Sequence, residues 1–275
     1  MATLLTVLNA LLPLLYLALL VDYGATFFLQ RRVRGRSPWL VGCIAVHAAF
    51  LVLWTIQARR PPVANSEDIL SVVALATAAL YLAVELKSRD RRTGAFVLLL
   101  VFFFQYAASI LLAGKSGGAE APAEVKRSVW GGLHVMPALV AYTALGFAAV
   151  YGLLHILAQR ELRGRRYGLL FDRLPPLESL GRMTWHVLLV GFVFMTISIA
   201  VSPLLFWHGQ AGGAAEAVTA KVLAKIITGS VAWVLYAAAV LGRWLGKWSP
   251  VRVSWIAVIG FVVVMALIVA SVLLS

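Results

Sequence analysis

Long apolar runs alternate with short polar segments along the whole chain. Eight of these runs approach the ~20 residues that a helix needs to cross a hydrocarbon layer. They cover residues 3–25, 38–58, 68–86, 94–113, 130–157, 181–206, 224–244 and 252–274. Because backbone groups in lipid must be hydrogen-bonded inside the protein, runs of this length predict helices. The pattern therefore predicts an all-α polytopic membrane protein with eight transmembrane helices, forming a single transmembrane domain over residues 1–275.

Composition restricts the chemistry that such a bundle can perform. The chain has 275 residues, of which 62% are hydrophobic, so no sizeable soluble domain remains between the runs. Cys43 is the single cysteine, which excludes an internal disulfide, a C-x-x-C redox pair and a C-x-x-C-H haem attachment motif. The sequence also lacks the P-loop, H-E-x-x-H and G-x-S-x-G motifs. No catalytic residue is predicted, and an enzymatic activity is not expected.

The basic residues are distributed unevenly between the two sides of the predicted bundle. The net charge is +13, and most of the 24 Lys and Arg residues lie in alternate loops. Those loops contain Arg31, Arg32, Arg34, Arg36, Lys87, Arg89, Arg91, Arg92, Arg160, Arg163, Arg165, Arg166, Arg173, Arg182, Arg243, Lys247 and Arg252. By the positive-inside rule, both termini are predicted on the non-cytoplasmic side. Topology and attraction to anionic membrane lipid account for the charge, so no nucleic acid partner is expected.

Two groups of residues carry simpler structural predictions. In the fifth run, Ala141, Ala144, Ala148 and Gly152 recur at spacings of three and four, which favours close packing against neighbouring helices. Asp22, Glu85 and His155 lie near predicted cytoplasmic ends. We expect the two carboxylates to reach the interface by snorkelling and His155 to be a surface residue. None of these residues requires a ligand.

The remaining four histidines are the candidate functional residues, because an ionisable ring is costly in hydrocarbon. His47 lies in the middle of the second run and His186 lies within the sixth, whereas His134 and His208 lie at the ends of runs. The last two would share the outer interface. Two imidazoles from different helices are what a bis-histidine haem requires.

The sequence alone also allows other interpretations of these histidines. The outer pair, in WGGLHVMPALVAY and SPLLFWHGQ, lies beside aromatic residues that could cover a macrocycle, among them Trp130 and Trp207. The same rings could instead bind headgroups or water at the interface. A neutral His47 or His186 bonded to a neighbouring backbone or hydroxyl group is also an adequate interpretation. The number and positions of the histidines are therefore compatible with more than one function.

Longer segments resemble a known family. The segment LHVMPALVAYTALGFAAVYGLLHILAQRELR resembles the histidine-containing span of the cytochrome c assembly transmembrane family, which includes CcsA, CcmC and HemX-type proteins. Similarity continues through LPPLESLGRMTWHVLLVGFVFMTISIAVS and KIITGSVAWVLYAAAVLGRWLGKWSPVRVSWIAVIGF, and more weakly through RRPPVANSEDILSVVALATAALYLAVE. The chain most resembles the eight-span YpjD-type inner-membrane subgroup, in which histidines match His47, His134, His186 and His208.

The resemblance implies haem handling in a bacterial inner membrane. It implies haem b as the cofactor, with His134 and His208 as outer axial ligands of the metal and His47 and His186 as inner ones. Trp130 and Trp207 would shelter the ring. The implied partners are apocytochrome c or other cytochrome c maturation proteins.

The sequence departs from full assembly factors in one loop. Those proteins carry a WGxxWxWD-type outer loop, whereas this chain has FWHGQAGGAAEAVTAKVLAK, with one Trp and no Asp. This difference motivates an alternative function, a non-catalytic membrane scaffold or regulator of the HemX-like type without a role in haem transfer.

Overall fold

The computed structural model describes residues 2–29, 37–59, 62–63, 66–88, 91–113, 129–165, 168, 173–211 and 220–273. Its helices are α1 (Ala2–Phe28), α2 (Pro38–Ala58), α3 (Ser66–Ser88), α4 (Gly94–Ala113), α5 (Val129–Arg163), α6 (Leu177–Ala211), α7 (Ala220–Trp244) and α8 (Pro250–Leu273). Each of these eight is long and apolar enough to cross a membrane. The described residues contain no strand. The predicted all-α, eight-span class is confirmed, and the side on which the termini lie remains a prediction.

The helices begin where local chemistry favours them. Pro38 opens α2 behind Ser37, whose Oγ accepts a hydrogen bond from the Leu40 amide at 3.3 Å. Pro250 opens α8 directly after Ser249, whose carbonyl accepts from the Arg252 amide at 3.0 Å. α5 and α6 each have 35 residues and extend beyond the predicted apolar runs, because their polar end turns continue the helix.

The chain divides into two compact units, Met1–Lys126 and Arg127–Ser275. The first unit contains α1 to α4, with α4 packed on α1 and α3, and α2 also packed on α1 and α3. Tyr16, Tyr23 and Tyr81 are fully buried in it. Large apolar side chains such as Leu14 and Val21 are exposed, as expected for a surface that faces lipid.

A polar cluster closes one end of the first unit and corrects the expectation for Glu85. This carboxylate is 3% exposed and does not snorkel. It accepts hydrogen bonds from the Tyr23 hydroxyl and from the Ser37 amide at 3.1 Å, and Arg91 Nε lies 3.5 Å away. The Arg91 guanidinium also lies over the Tyr23 ring, 4.5 Å from its centroid. A buried carboxylate is stable here because it is paired and hydrogen-bonded.

Arg91 keeps its charge in this environment. Burial lowers the pKa of its guanidinium, but the Tyr23 hydroxyl, Glu85 and Asp22 together raise that pKa above its ordinary value. Arg91 therefore stays cationic and neutralises the Glu85 carboxylate. The cluster joins the C-terminal part of α1, the N-cap of α2, the last turns of α3 and the segment before α4.

The second unit is built around α5, which packs on α6 and α8. Ala141, Ala144 and Ala148 are at most 2% exposed, so the small-residue stripe is a packing face. A Cβ added to Gly152 would lie 3.0 Å from the Ser254 carbonyl oxygen on α8. One added to Gly191 on α6 would lie 3.3 Å from the Ala141 carbonyl oxygen. The prediction that this stripe serves close helix packing is confirmed.

Candidate functional site

His134 lies in the second turn of α5, half-buried against α6. Its Nδ1 atom is 2.9 Å from the Ser198 carbonyl oxygen and 3.1 Å from each of the Ser198 and Ser202 hydroxyl oxygens. Three oxygen atoms from two serines therefore surround Nδ1 of His134, and the two serines lie one helical turn apart on α6.

The neighbouring hydrogen bonds fix which nitrogen of His134 carries the proton. The Ser198 hydroxyl donates to the His134 carbonyl at 3.0 Å, and the Ser202 hydroxyl donates to the Ser198 carbonyl at 3.1 Å. A carbonyl oxygen only accepts, and both serine protons are committed elsewhere. Nδ1 of His134 therefore holds the proton and donates it. The lone pair is then on Nε2, which has no hydrogen-bond partner among the described residues.

This arrangement is the one that metal-binding histidines usually have. A ligand imidazole commonly donates its second N–H to a backbone carbonyl or a carboxylate, which fixes the tautomer and orients the ring toward the metal. Within the described part of the chain, no group of three or more His, Cys, Asp and Glu residues is placed to hold a metal ion. A zinc-type site is thus not assembled there. Porphyrin iron needs only one or two protein ligands, so a single imidazole with a fixed tautomer and orientation, such as that of His134, is sufficient to bind it.

Ser198 and Ser202 were not predicted as site residues. The signal available in the sequence is their spacing of four on an otherwise apolar segment, which places both hydroxyls on one helix face. Serine on a membrane helix commonly bonds the preceding turn of its own backbone, so this spacing does not by itself indicate a ring bound alongside.

His208 lies in the last turn of α6, after Ser202 and on the same helix, with its Cα roughly 9 Å farther along the axis. Trp207 precedes it, and Trp130 lies in the first turn of α5. The side chains of these three predicted site residues lie outside the described part of the structure. Their roles remain predictions.

His186 is not brought to the His134 site. Its side chain is exposed, and its Nδ1 donates to the Arg182 carbonyl of its own helix at 2.8 Å. Ser198 lies twelve positions farther along α6, which corresponds to roughly 18 Å along the axis. The two rings therefore cannot share one iron in this arrangement.

His47 lies in the first unit, where it is completely buried. Nδ1 is 2.9 Å from the Tyr16 hydroxyl, and Nε2 is 2.9 Å from the Ser71 hydroxyl. The Ser71 hydroxyl donates to Gln105 Oε1 at 3.0 Å, so Ser71 accepts from Nε2–H and Nδ1 accepts from Tyr16. Both ring nitrogens are thus occupied, and iron binding at His47 requires that one of these bonds break.

The hydrogen bonds continue beyond His47 across the whole first unit. Gln105 Nε2 donates to the Ser109 hydroxyl at 3.1 Å, and this hydroxyl donates to the Asn9 carbonyl at 3.0 Å. The Asn9 amide returns a bond to the Ser109 carbonyl at 3.1 Å. We call this series the buried polar chain, and it consists of Tyr16, His47, Ser71, Gln105, Ser109 and Asn9. It joins all four helices of the unit.

The expectation that His155 is a surface residue was wrong. The residue is 3% exposed, and its Nδ1 lies 2.8 Å from the Ser254 hydroxyl on α8. The arginines near His155 in the sequence indicated that it lies close to a helix end. They did not indicate which face of α5 it occupies. That face is covered by α6 and α8.

Comparisons with known proteins identify one family and several relatives. The family described as cytochrome C assembly protein matches residues 63–274. The inner membrane protein YpjD of Escherichia coli (strain K12) is 26% identical over 132 residues, which cover 48% of this chain and 46% of that protein. Protein HemX of Brevibacillus brevis is 25% identical over 215 residues, which cover 76% of each.

The YpjD match thus covers about half of the length of that relative. No solved structure matches the chain. The family match covers well over half of the chain, from the start of α3 through α8. On this basis, the chain belongs to the cytochrome C assembly protein family.

Proposed function

We propose that this chain is a haem-binding protein of the bacterial inner membrane that acts in cytochrome c assembly, with His134 as an axial ligand. One observation carries the proposal: the Ser198 carbonyl fixes the Nδ1–H tautomer of His134 and leaves the Nε2 lone pair without a described partner. Haem bound there would supply the iron porphyrin to be delivered to apocytochrome c or to another maturation protein. The family match and the name of the YpjD relative support the setting.

The residues of the second unit have separate roles in this proposal. His134 would hold the iron, while Ser198 and Ser202 keep its ring in one orientation. His208 would be the candidate second protein ligand of the iron, because it follows the two serines on α6. Trp130 and Trp207, in the end turns of α5 and α6, would cover the porphyrin faces.

The test measures haem in the purified full-length protein, by its Soret absorbance and by pyridine haemochrome. We expect His134→Ala to lose most of the haem. The double variant Ser198→Ala/Ser202→Ala keeps the carbonyl acceptor but removes both hydroxyls, and we expect it to weaken haem binding about tenfold, as loss of groups that orient a ligand usually does.

His186→Ala is the matched comparison, because it removes an exposed histidine from the same helix that holds both serines. We expect it to retain parental haem content and the parental Soret maximum. Haem content in His134→Ala equal to that of the parent protein would overturn the proposal. A loss confined to His186→Ala would place the iron elsewhere.

A scaffold or regulator without haem is the second candidate function. The observation in its favour is that both nitrogens of His47 are used within the buried polar chain, as in a purely structural histidine. This function predicts haem-free parent protein under haem-replete expression. It also predicts that His134→Ala leaves the cellular phenotype intact.

A further inference from the structure

A cavity of about 540 Å³ lies in the second unit at the end where α5 and α7 finish and α6 and α8 begin. Its walls include His155 from α5, Gly181 and Arg182 from α6, Arg243 from α7 and Val251 from α8. None of these residues belongs to the His134 site. The cavity is therefore separate from the His134 site.

The wall of this cavity is positively charged. Arg182 and Arg243 contribute two guanidinium groups, and Glu178 is the single acidic side chain among the lining residues that the structure describes. Arg243 donates from one terminal nitrogen to the Trp248 carbonyl at 2.7 Å, which ties the guanidinium to the segment between α7 and α8. Its other N–H groups stay available, because a guanidinium has five donors.

Two helix N-termini add to the positive potential. The first turns of α6 and α8 line the cavity through Leu177 and Glu178 and through Pro250 and Val251. The Ser249 carbonyl already accepts from the Arg252 and Val253 amides, and the Pro176 carbonyl accepts from the Ser179 and Leu180 amides. In the first turn of α8 the Val251 amide is the donor that remains, and the helix dipole favours an anion at that position. The backbone and the two arginines therefore favour the same sign of ligand.

His155 provides an independent indication that a ligand binds. Ser254 is fully buried, and its hydroxyl has one hydrogen-bond partner among the described residues, Nδ1 of His155. A buried hydroxyl donates its proton where an acceptor is available, so Nδ1 accepts and Nε2 carries hydrogen. Nε2 lies on the side of Gly181, where an added Cβ would be 3.3 Å from it, and it has no described partner. A ring that is 3% exposed thus presents an unpartnered N–H donor at the cavity wall.

The surroundings select an amphiphile over a soluble anion. Trp185, Val251 and Val253 supply apolar wall, and the helices that form the cavity are long enough to cross a membrane. Exposed Trp244, at the same end, is typical of the headgroup level. Basic pockets between membrane helices are known to bind anionic headgroups.

We propose that this cavity binds the phosphodiester headgroup of an anionic phospholipid. Arg182, Arg243 and the Val251 amide contact the phosphate, and His155 Nε2–H donates to a headgroup oxygen. The acyl chains leave along the apolar wall. This inference does not depend on haem binding, because its residues are separate from His134.

The experiment measures lipid retention by native mass spectrometry on the delipidated, haem-free full-length protein. Phosphatidylglycerol, phosphatidylcholine and inorganic phosphate are added in separate titrations. We expect phosphatidylglycerol to bind and phosphatidylcholine to bind at least tenfold more weakly. Both lipids carry the phosphodiester, but the trimethylammonium group of phosphatidylcholine is repelled by Arg182 and Arg243 and offers no hydroxyl oxygen to His155 Nε2–H. Arg182→Gln, at an exposed position, should weaken phosphatidylglycerol binding about fivefold, a typical contribution of one basic residue at a membrane surface.

Arg252→Gln is the matched control, because it removes an exposed arginine from the first turn of α8 that does not line the cavity. We expect it to bind phosphatidylglycerol within twofold of the parent. His155→Gln keeps an amide donor and should bind more tightly than His155→Leu, and thermal denaturation without lipid confirms that both are folded. Equal binding of both lipids, or equal effects of Arg182→Gln and Arg252→Gln, overturns the proposal. Binding of inorganic phosphate as tight as that of phosphatidylglycerol also overturns it, in favour of a soluble anion.

Discussion

Gly94, the first residue of α4, is expected to be the least replaceable of the three glycines that the structure describes in the first unit, the others being Gly24 and Gly42. A Cβ at this position would overlap Tyr23 Cδ1 and the Tyr81 hydroxyl, and it would lie 2.6 Å from Tyr23 Cε1. Carbon atoms in contact are normally 3.5–4.0 Å apart, so both rings would have to move by about 1 Å. Neither ring has room, because both tyrosines are at most 1% exposed.

The cost of Gly94→Ala can be estimated from these contacts. Overpacking a filled core costs about 1–3 kcal/mol. Displacing the Tyr23 ring also weakens its hydrogen bond to the Glu85 carboxylate, and bonds to charged groups contribute about 1.5–3 kcal/mol. We therefore expect the free energy of unfolding to fall by about 3 kcal/mol or more.

The assay is reversible unfolding in mixed micelles of dodecyl maltoside and SDS, followed by far-UV circular dichroism and tryptophan fluorescence. Gly24→Ala is the control, because an added Cβ at Gly24 on α1 meets nothing within 4 Å. We expect Gly24→Ala to stay within about 1 kcal/mol of the parent, the usual helix-propensity difference. The double variant Gly94→Ala/Tyr81→Phe should recover part of the loss, since it removes one overlapping atom. A Gly94→Ala protein as stable as Gly24→Ala would refute the reasoning.

Three further perturbations give expected losses of stability in the same assay. Tyr16→Phe removes the donor to His47 Nδ1 and should cost about 1 kcal/mol, between the average of about 0.6 and the maximum of about 1.7 kcal/mol for hydrogen bonds between membrane helices; a cost of zero would mean that this bond of the buried polar chain does not stabilise the fold. Glu85→Ala leaves Arg91 with its carboxylate partner removed and should cost about 3 kcal/mol, whereas Glu85→Gln should cost less because the amide still accepts from Tyr23. Gly191→Ala places a Cβ 2.9 Å from Leu145 Cγ and should cost about 1–3 kcal/mol, and an unchanged midpoint would contradict the close α5–α6 packing.

The helices themselves were predictable from the sequence, for a physical reason. A membrane helix must satisfy its backbone internally and cover a fixed thickness, so the length of an apolar run nearly determines the element. The Ala141–Gly152 stripe was predictable as well. Small residues at helical spacing allow backbones to approach, and that property belongs to the helix before any partner is known.

The partners of polar residues were not predictable in the same way. Hydropathy gives the depth of a residue in the membrane but not the direction in which it points around the helix. Residues facing lipid are as apolar as those facing protein, so amphipathic patterning gives little information about that direction. For this reason Glu85 and His155 were expected at the surface and are buried. For the same reason the serine acceptors of His134 were missed.

The buried polar chain has a consequence for the order in which the protein is made. Asn9 and Ser109, which bond to each other, are 100 residues apart in sequence. At synthesis rates of about 5–20 residues per second, the first helix is made roughly 5–20 s before its partner on the fourth. During that interval the amide of Asn9 has to be accommodated by the insertion machinery or by water, since lipid offers it no acceptor. Assembly of the N-terminal unit is therefore complete only after its fourth helix has left the ribosome. If synthesis stopped before that point, the first helix would be inserted with the hydrogen bonds of Asn9 unmade, and quality-control proteases would encounter it in that state.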